Sequence, residues 1–378
     1  MFSTDSSKDQ HSGGVSRRRF LQWSAAAGAA AMLPFGMARA RNELTMLSWY
    51  GHAEPEVIGA FEEKYNVKVR AKYYVGGDQM LALLAQSPPG TYDVILSDAE
   101  FVEQLRIANY VERLDPSDYP FDDYFAEFQE YPAHWHEGDL YSVMLRFGYL
   151  GLSYNRDVLS ASEASSYAAM WADKLRGRLG HFDWYLPNYG CISLYEGNPA
   201  PFDIDQPTWE AVAARTRTLK PQVAGYFDYG GVLGSLRSGQ VAAVPGIGDW
   251  ITGVLQRDGA NVDTAIPEEG GLQWTESLSI ARNASNPELA KQFIQYMTSP
   301  EGQVRTATMK AYPALLPTRS GWEALNRVNP DEAKRQGMVF GARNALTLLR
   351  EGRITPRRLP VQQSIETWNE AWSSYKNL

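Results

Sequence analysis

Between residues 44 and 107 the chain alternates short apolar runs of strand period with longer runs of helix period, and this constrains the fold more than any other feature. Leu44-Thr45-Met46-Leu47-Ser48 reads as a strand, and residues 56–65 set Val57, Ile58, Phe61 and Tyr65 on one helical face. Val67, Val69, Ala71 and Tyr73 alternate as a second strand, and residues 79–85 read as a helix. Residues 92–96 are a buried strand feeding a helix over 100–107. Such alternation predicts an α/β fold with a mostly parallel sheet covered on both faces. Ligands in these sheets sit beyond the carboxyl ends of the strands. Ser48-Trp49-Tyr50-Gly51-His52 and Ser97-Asp98-Ala99-Glu100 are therefore the first places to look for a site.

Ahead of this stretch, Ser16-Arg17-Arg18-Arg19-Phe20-Leu21-Gln22 precedes an Ala-rich segment and Ala38-Arg39-Ala40. A basic start, a weakly apolar middle and a small-x-small end make residues 1–40 a signal peptide of twin-arginine type, to be handled by the Tat translocase and directed to the periplasm. Pro34 and Gly36 interrupt its apolar run below the ~18 residues a membrane span needs. Of the 36 basic and 44 acidic residues, this segment holds five and two, which leaves a formal charge of −11 on the rest. That balance argues against nucleic acid or an anionic membrane as partner and suits a cationic ligand. The single cysteine, Cys191, excludes an intramolecular disulfide and any CxxC site.

Residues 115–139 are rich in Pro, Asp, Tyr and Phe without a period, and the first crossing between two lobes is placed near them. Strand character returns over 141–154, a helix is expected over 209–219, and strands over 241–244 and 278–281. Asn286-Pro287-Glu288 starts a helix with Ala290, Phe293, Ile294 and Met297 on one face. His134-Trp135-His136-Glu137 lacks a third metal ligand and reads as a solvated loop. Gly246-Ile247-Gly248-Asp249-Trp250-Ile251 lacks the third glycine of a dinucleotide fingerprint. No nucleophile elbow, zinc-protease helix or phosphate-cradling loop is present, so neither a catalytic role nor a cofactor is expected.

The stretch Pro267-Glu268-Glu269-Gly270-Gly271-Leu272-Gln273-Trp274-Thr275-Glu276-Ser277-Leu278 resembles a motif of the periplasmic spermidine/putrescine-binding proteins. Leu47-Ser48-Trp49-Tyr50, Tyr92-Asp93-Val94, residues 171–177 and Ala311-Tyr312-Pro313 extend the likeness over nearly all of the chain after residue 40. The resemblance implies a type II periplasmic binding protein of two α/β lobes, 41–145 plus 272–325 and 146–271 plus 326–378, closing over a ligand in the cleft. It implies a monomeric receptor that delivers a small amine, a polyamine by default, to an ABC transporter permease. Trp49, Trp274 and Tyr312 carry over as box aromatics and Glu276 as the acidic anchor.

The sequence also departs from the family. In the second lobe, where an acidic pair is expected, only Asp183 keeps a charge and Trp184 stands beside it. Asp98 and Glu100 fall where the family has uncharged residues. The expected site is thus Trp49, Tyr50, Asp98, Asp183, Trp184, Trp274, Glu276 and Tyr312, with Trp250 nearby. Its altered charges leave open a zwitterionic or amino acid-like amine, an anion or a metal as cargo, with an exported enzyme as a more distant alternative.

Overall fold

The computed structural model describes residues 43–378; the expected signal peptide lies outside the described residues. Strand β1 (Glu43–Ser48) buries Leu44, Met46 and Leu47. Helix α1 (Pro55–Tyr65) opens on proline, buries Val57, Ile58 and Phe61, and closes at Asn66 in the left-handed region, φ 49°. Then come β2 (Lys68–Tyr73), α2 (Gly77–Gln86), the wholly buried β3 (Val94–Asp98) and α3 (Val102–Ile107). The helix expected from residue 100 thus begins as a 3-10 turn over Ala99–Phe101.

The aperiodic segment folds into short turns held down by aromatics: the Tyr124 hydroxyl donates to the Met144 carbonyl at 2.6 Å. His134 is not in a solvated loop. It is buried on one of these turns, its Nε2 2.7 Å from Ser277 Oγ, and burial drives its pKa down to about 3. Among the described residues no group of acidic, histidine and cysteine side chains is arranged to hold a metal.

Strand β4 (Val143–Asn155) is followed by β5 (Leu179–Phe182), α4 (Tyr185–Tyr195), α5 (Gln206–Arg217), β6 (Val223–Phe227) and α6 (Tyr229–Ser238). Next are β7 (Ala243–Gly248), α7 (Asp249–Arg257) and β8 (Val262–Ala265). Strand β9 (Gly271–Ile280) is buried along its whole length, well beyond the expected 278–281. Helix α8 (Pro287–Thr298) buries the predicted face, and α9 (Pro300–Ala307), α10 (Arg319–Val328), α11 (Pro330–Arg335), β10 (Ile354–Pro356) and α12 (Ile365–Lys376) complete the chain.

The described residues form a ten-stranded sheet in the order β2-β1-β3-β9-β4-β7-β5-β6, with β8 on β4 and β10 on β9. The outer blocks β2-β1-β3 and β7-β5-β6 are parallel, and β9 and β4 run antiparallel between them. The chain therefore crosses from one α/β block to the other along β4 and returns along β9. Both long strands carry an irregularity in their pairing, at Glu276/Ser277 and at Gly151/Leu152. Such bulges re-aim side chains and often border functional sites.

Candidate ligand-binding cleft

The strand ends converge on a cavity of about 320 Å³. Trp49 follows β1, Asp98 ends β3, Trp184 follows β5, Asp228 and Tyr229 follow β6, and Trp250 lies just past β7. Leu150 of β4 and Trp274 and Glu276 of β9 line it from the crossing strands, and Tyr312 and Arg357 complete the wall. Tyr229 and Trp250 stack at 5.9 Å and 16°, and Trp250 and Trp274 meet Tyr312 at 6.3 and 6.5 Å. Trp274 stands opposite Gly148 across the β9–β4 ladder, where a Cβ would come within 2.7 Å of the indole. Glycine at 148 is what lets that ring lie down.

The charged residues form a row across three strands. Asp98 on β3 is the register partner of Glu276 on β9, which is in turn the partner of Arg146 on β4. Opposite residues of a ladder project to the same face, so two carboxylates and a guanidinium compete there. Arg146 sides with Glu276, its Nε donating to Oε2 at 2.6 Å while Nη1 donates to the Thr306 carbonyl at 3.0 Å. The Tyr312 hydroxyl donates to Glu276 Oε1 at 2.8 Å, and the guanidinium lies 4.3 Å from the centre of the Tyr312 ring. Burial alone would raise the Glu276 pKa, but Arg146 and the contact with His52 hold it at about 2. His52 itself is fully buried, which lowers its pKa and keeps the imidazole neutral.

Asp98 has a poorer set of partners. Arg357, positioned by its backbone N–H bond to Gln273 where β10 ends, brings Nη2 to 2.9 Å from Asp98 Oδ1, but without the alignment of a hydrogen bond. The same guanidinium donates from Nε to Glu100 and lies 4.4 Å from the Trp184 ring centre. Asp98 Oδ2 is buried with no aligned hydrogen bond. Burial lifts the Asp98 pKa to about 8; Arg357 and the Trp49 side chain oppose the rise, and Glu100 and Glu276 add to it.

Seven of the eight sequence-predicted residues, Trp49, Tyr50, Asp98, Trp184, Trp274, Glu276 and Tyr312, line this cavity, Tyr50 at the rim with 52% exposure. Asp183 does not. It faces a second, smaller cavity, where Lys376 of α12 binds both its oxygens at 2.8 and 2.9 Å and the Trp372 indole donates to it at 2.9 Å. Glu276, expected as the acidic anchor, faces the main cavity as one half of a buried ion pair with Arg146. Sequence reasoning missed Arg146, Arg357, Tyr74, Asp228 and Tyr229. Arg146 left a signal, as the one charge in the apolar run Val143-Met144-Leu145-Arg146-Phe147, where a buried cation requires a buried partner.

Residues 56–334 match the bacterial extracellular solute-binding protein family, and residues 14–34 match the twin-arginine translocation signal. The spermidine/putrescine-binding periplasmic protein of Escherichia coli K12 is 25% identical over 304 residues, covering 77% of this chain and 84% of that one. The spermidine/putrescine ABC transporter substrate-binding protein of Streptococcus pneumoniae superposes with a TM-score of 0.70 at 17% identity, over 88% of this chain and 97% of that one. The binding protein MotA of Agrobacterium tumefaciens B6, in complex with glucopine, shares the fold with a TM-score of 0.67 at 16% identity, over 89% and 99% of the two chains. The two blocks and shared strands are thus the two-lobed fold of periplasmic binding proteins, and the chain belongs to the bacterial extracellular solute-binding proteins. It is the exported, periplasmic substrate-binding component of an ABC transporter, working by binding rather than by catalysis.

Proposed function

We propose that the protein captures a small ammonium-bearing solute, held between aromatic faces and the carboxylate of Asp98, for delivery to its permease. The observation that carries this reading is the condition of Asp98, buried at the cleft wall with Oδ2 lacking an aligned donor. A solute ammonium supplies both the donor and the positive charge. Trp49, Trp184, Tyr229, Trp250, Trp274 and Tyr312 offer faces to its N–H and C–H groups, where cation–π attraction strengthens as water is excluded. The polyamines named for the E. coli relative belong to this chemical class. Tyr50 guards the mouth, and Glu276 acts indirectly by fixing the Tyr312 hydroxyl. Asp183 holds α12 in place and does not touch the solute.

On this reading residues 41–145 with 272–325 and residues 146–271 with 326–378 move as two lobes, bending at β4 and β9, and the closed form is what the permease meets. The test is a thermal-shift and calorimetric screen of amines, polyamines, amino acids, inorganic anions and divalent metals on the protein after removal of residues 1–40. A ligand that binds only the native state must raise its melting temperature. Amines are expected to stabilise the wild type and to lose most of that effect in Asp98→Asn. Stabilisation by anions or metals alone overturns the proposal.

A further inference from the structure

We infer that the cargo enters the cleft with a net charge of plus one, as a single ammonium group on a small and otherwise uncharged frame. This rests on the amine reading above and narrows it. Asp98, Glu276 and Arg357 of the cleft wall, with Arg146 and Glu100 in contact behind it, make two guanidiniums and three carboxylates, none more than 9% exposed. Each is in contact with another of the set. His52, which touches Glu276, is neutral. With Asp98 ionised, the state in which it pairs with an ammonium, the enclosed set carries one unbalanced negative charge.

Enclosed charge without a counter-charge is costly, and one ammonium removes the imbalance. A second would reverse it among aromatic rings, with no further enclosed carboxylate to pair with. The remaining carboxylate of the lining, Asp228, does not change the count. It is exposed to solvent and caps α6, accepting the Gly231 N–H at 2.8 Å, so it is screened.

The positions of the two guanidiniums point the same way. Arg146 already occupies one face of Tyr312, and Arg357 already occupies the ring of Trp184. Two of the aromatic seats a second ammonium would use are thus held by the protein's own cations. What stays open is the cavity itself, lined by Asp98, Trp49 and the stacked Tyr229 and Trp250.

Three probes with the same four-carbon frame test this by calorimetry at fixed pH and salt: 1-aminobutane at charge plus one, 1,4-diaminobutane at plus two, and 4-aminobutanoate at zero. Five- and six-carbon homologues allow for a longer cargo. At each length the monoamine should bind at least tenfold more tightly than the other two. In Glu100→Gln, which brings the enclosed set to zero, the preference should move at least tenfold towards the zwitterion, with the fold verified by circular dichroism and melting. Tightest binding by the diamine or the zwitterion in the wild type overturns the single-charge inference while leaving the amine reading standing. An unchanged ranking in a folded Glu100→Gln protein overturns it as well. If no frame of any length binds, the amine reading itself falls.

Discussion

Asp98 and Glu276 face each other across one rung of the sheet, both carboxylates, both almost completely buried, yet they behave as opposites. Glu276 has Arg146 on the next strand and the Tyr312 hydroxyl above it, and its pKa falls to about 2. Asp98 shares a single guanidinium with Glu100, has one oxygen without an aligned donor, and its pKa rises to about 8. The first is a finished ion pair that braces the floor of the cleft. The second is unfinished, and on the proposed reading it is the place that the cargo completes. Burial alone separates a structural charge from a recognition charge less well than the number of partners around it.

The hardest blow to this contrast is Arg146→Met. Removing one member of a buried pair leaves the other uncompensated and costs about 3–5 kcal/mol. Urea unfolding should show that loss with or without ligand, and a stable Arg146→Met protein would mean Glu276 is no brace. Glu276→Gln should fall in the same range, because it leaves Arg146 alone. Asp98→Asn should do the reverse, sparing the unliganded fold while weakening amine binding by about 10- to 100-fold, the scale of a charge-assisted hydrogen bond. A calorimetric affinity equal to wild type would remove Asp98 from the site.

The two carboxylates should also pull stability in different directions with pH. Asp98 keeps its proton in the folded state after the unfolded chain has lost it, so its contribution to unliganded stability declines as pH rises from about 4 to about 8. Glu276 contributes stability above its unfolded pKa and loses it as pH falls from about 4.5 towards about 2. Amine affinity should rise with pH through about 8, since only ionised Asp98 pairs with an ammonium. The groups that face Asp98 and share in this titration are Arg357, Glu100 and Glu276, with Tyr74 and Tyr312 remaining protonated. Melting curves across this range should lose the Asp98 component, and keep that of Glu276, in Asp98→Asn. Smallest of all, Asp183→Asn should leave binding unchanged and cost at most about 1 kcal/mol, because its pair with Lys376 is partly exposed.

The sequence made much of the scaffold legible. Alternating periods located β1 to β3 and α1 to α3 within a few residues, and the proline start and apolar face of α8 fell where expected. The full length of β9 was hidden because Gln273, Thr275, Glu276 and Ser277 are polar yet buried, so no apolar run marks the strand. Strand-end logic brought out Trp49 and Asp98, and the motif around Trp274 and Glu276 placed those two residues. Which carboxylate had a partner could not be read, because Arg146 on β4 and Arg357 just past β10 are brought to the row only by the fold. Asp183 illustrates the same limit, since what claims it is a lysine on the last helix, far away in the chain.

The strands that form the cleft floor are also the ones that join the lobes, and this bears on how such a receptor can change cargo. Arg146, Gly148, Trp274 and Glu276 cannot be altered without disturbing the connection between the two halves. Trp49, Trp184, Tyr229 and Trp250 sit just beyond strand ends, where replacement leaves the ladder intact. Adaptation to a new solute has an open route through those four positions and a closed one through the floor. A library built for altered specificity should therefore vary the rim and keep the keystone.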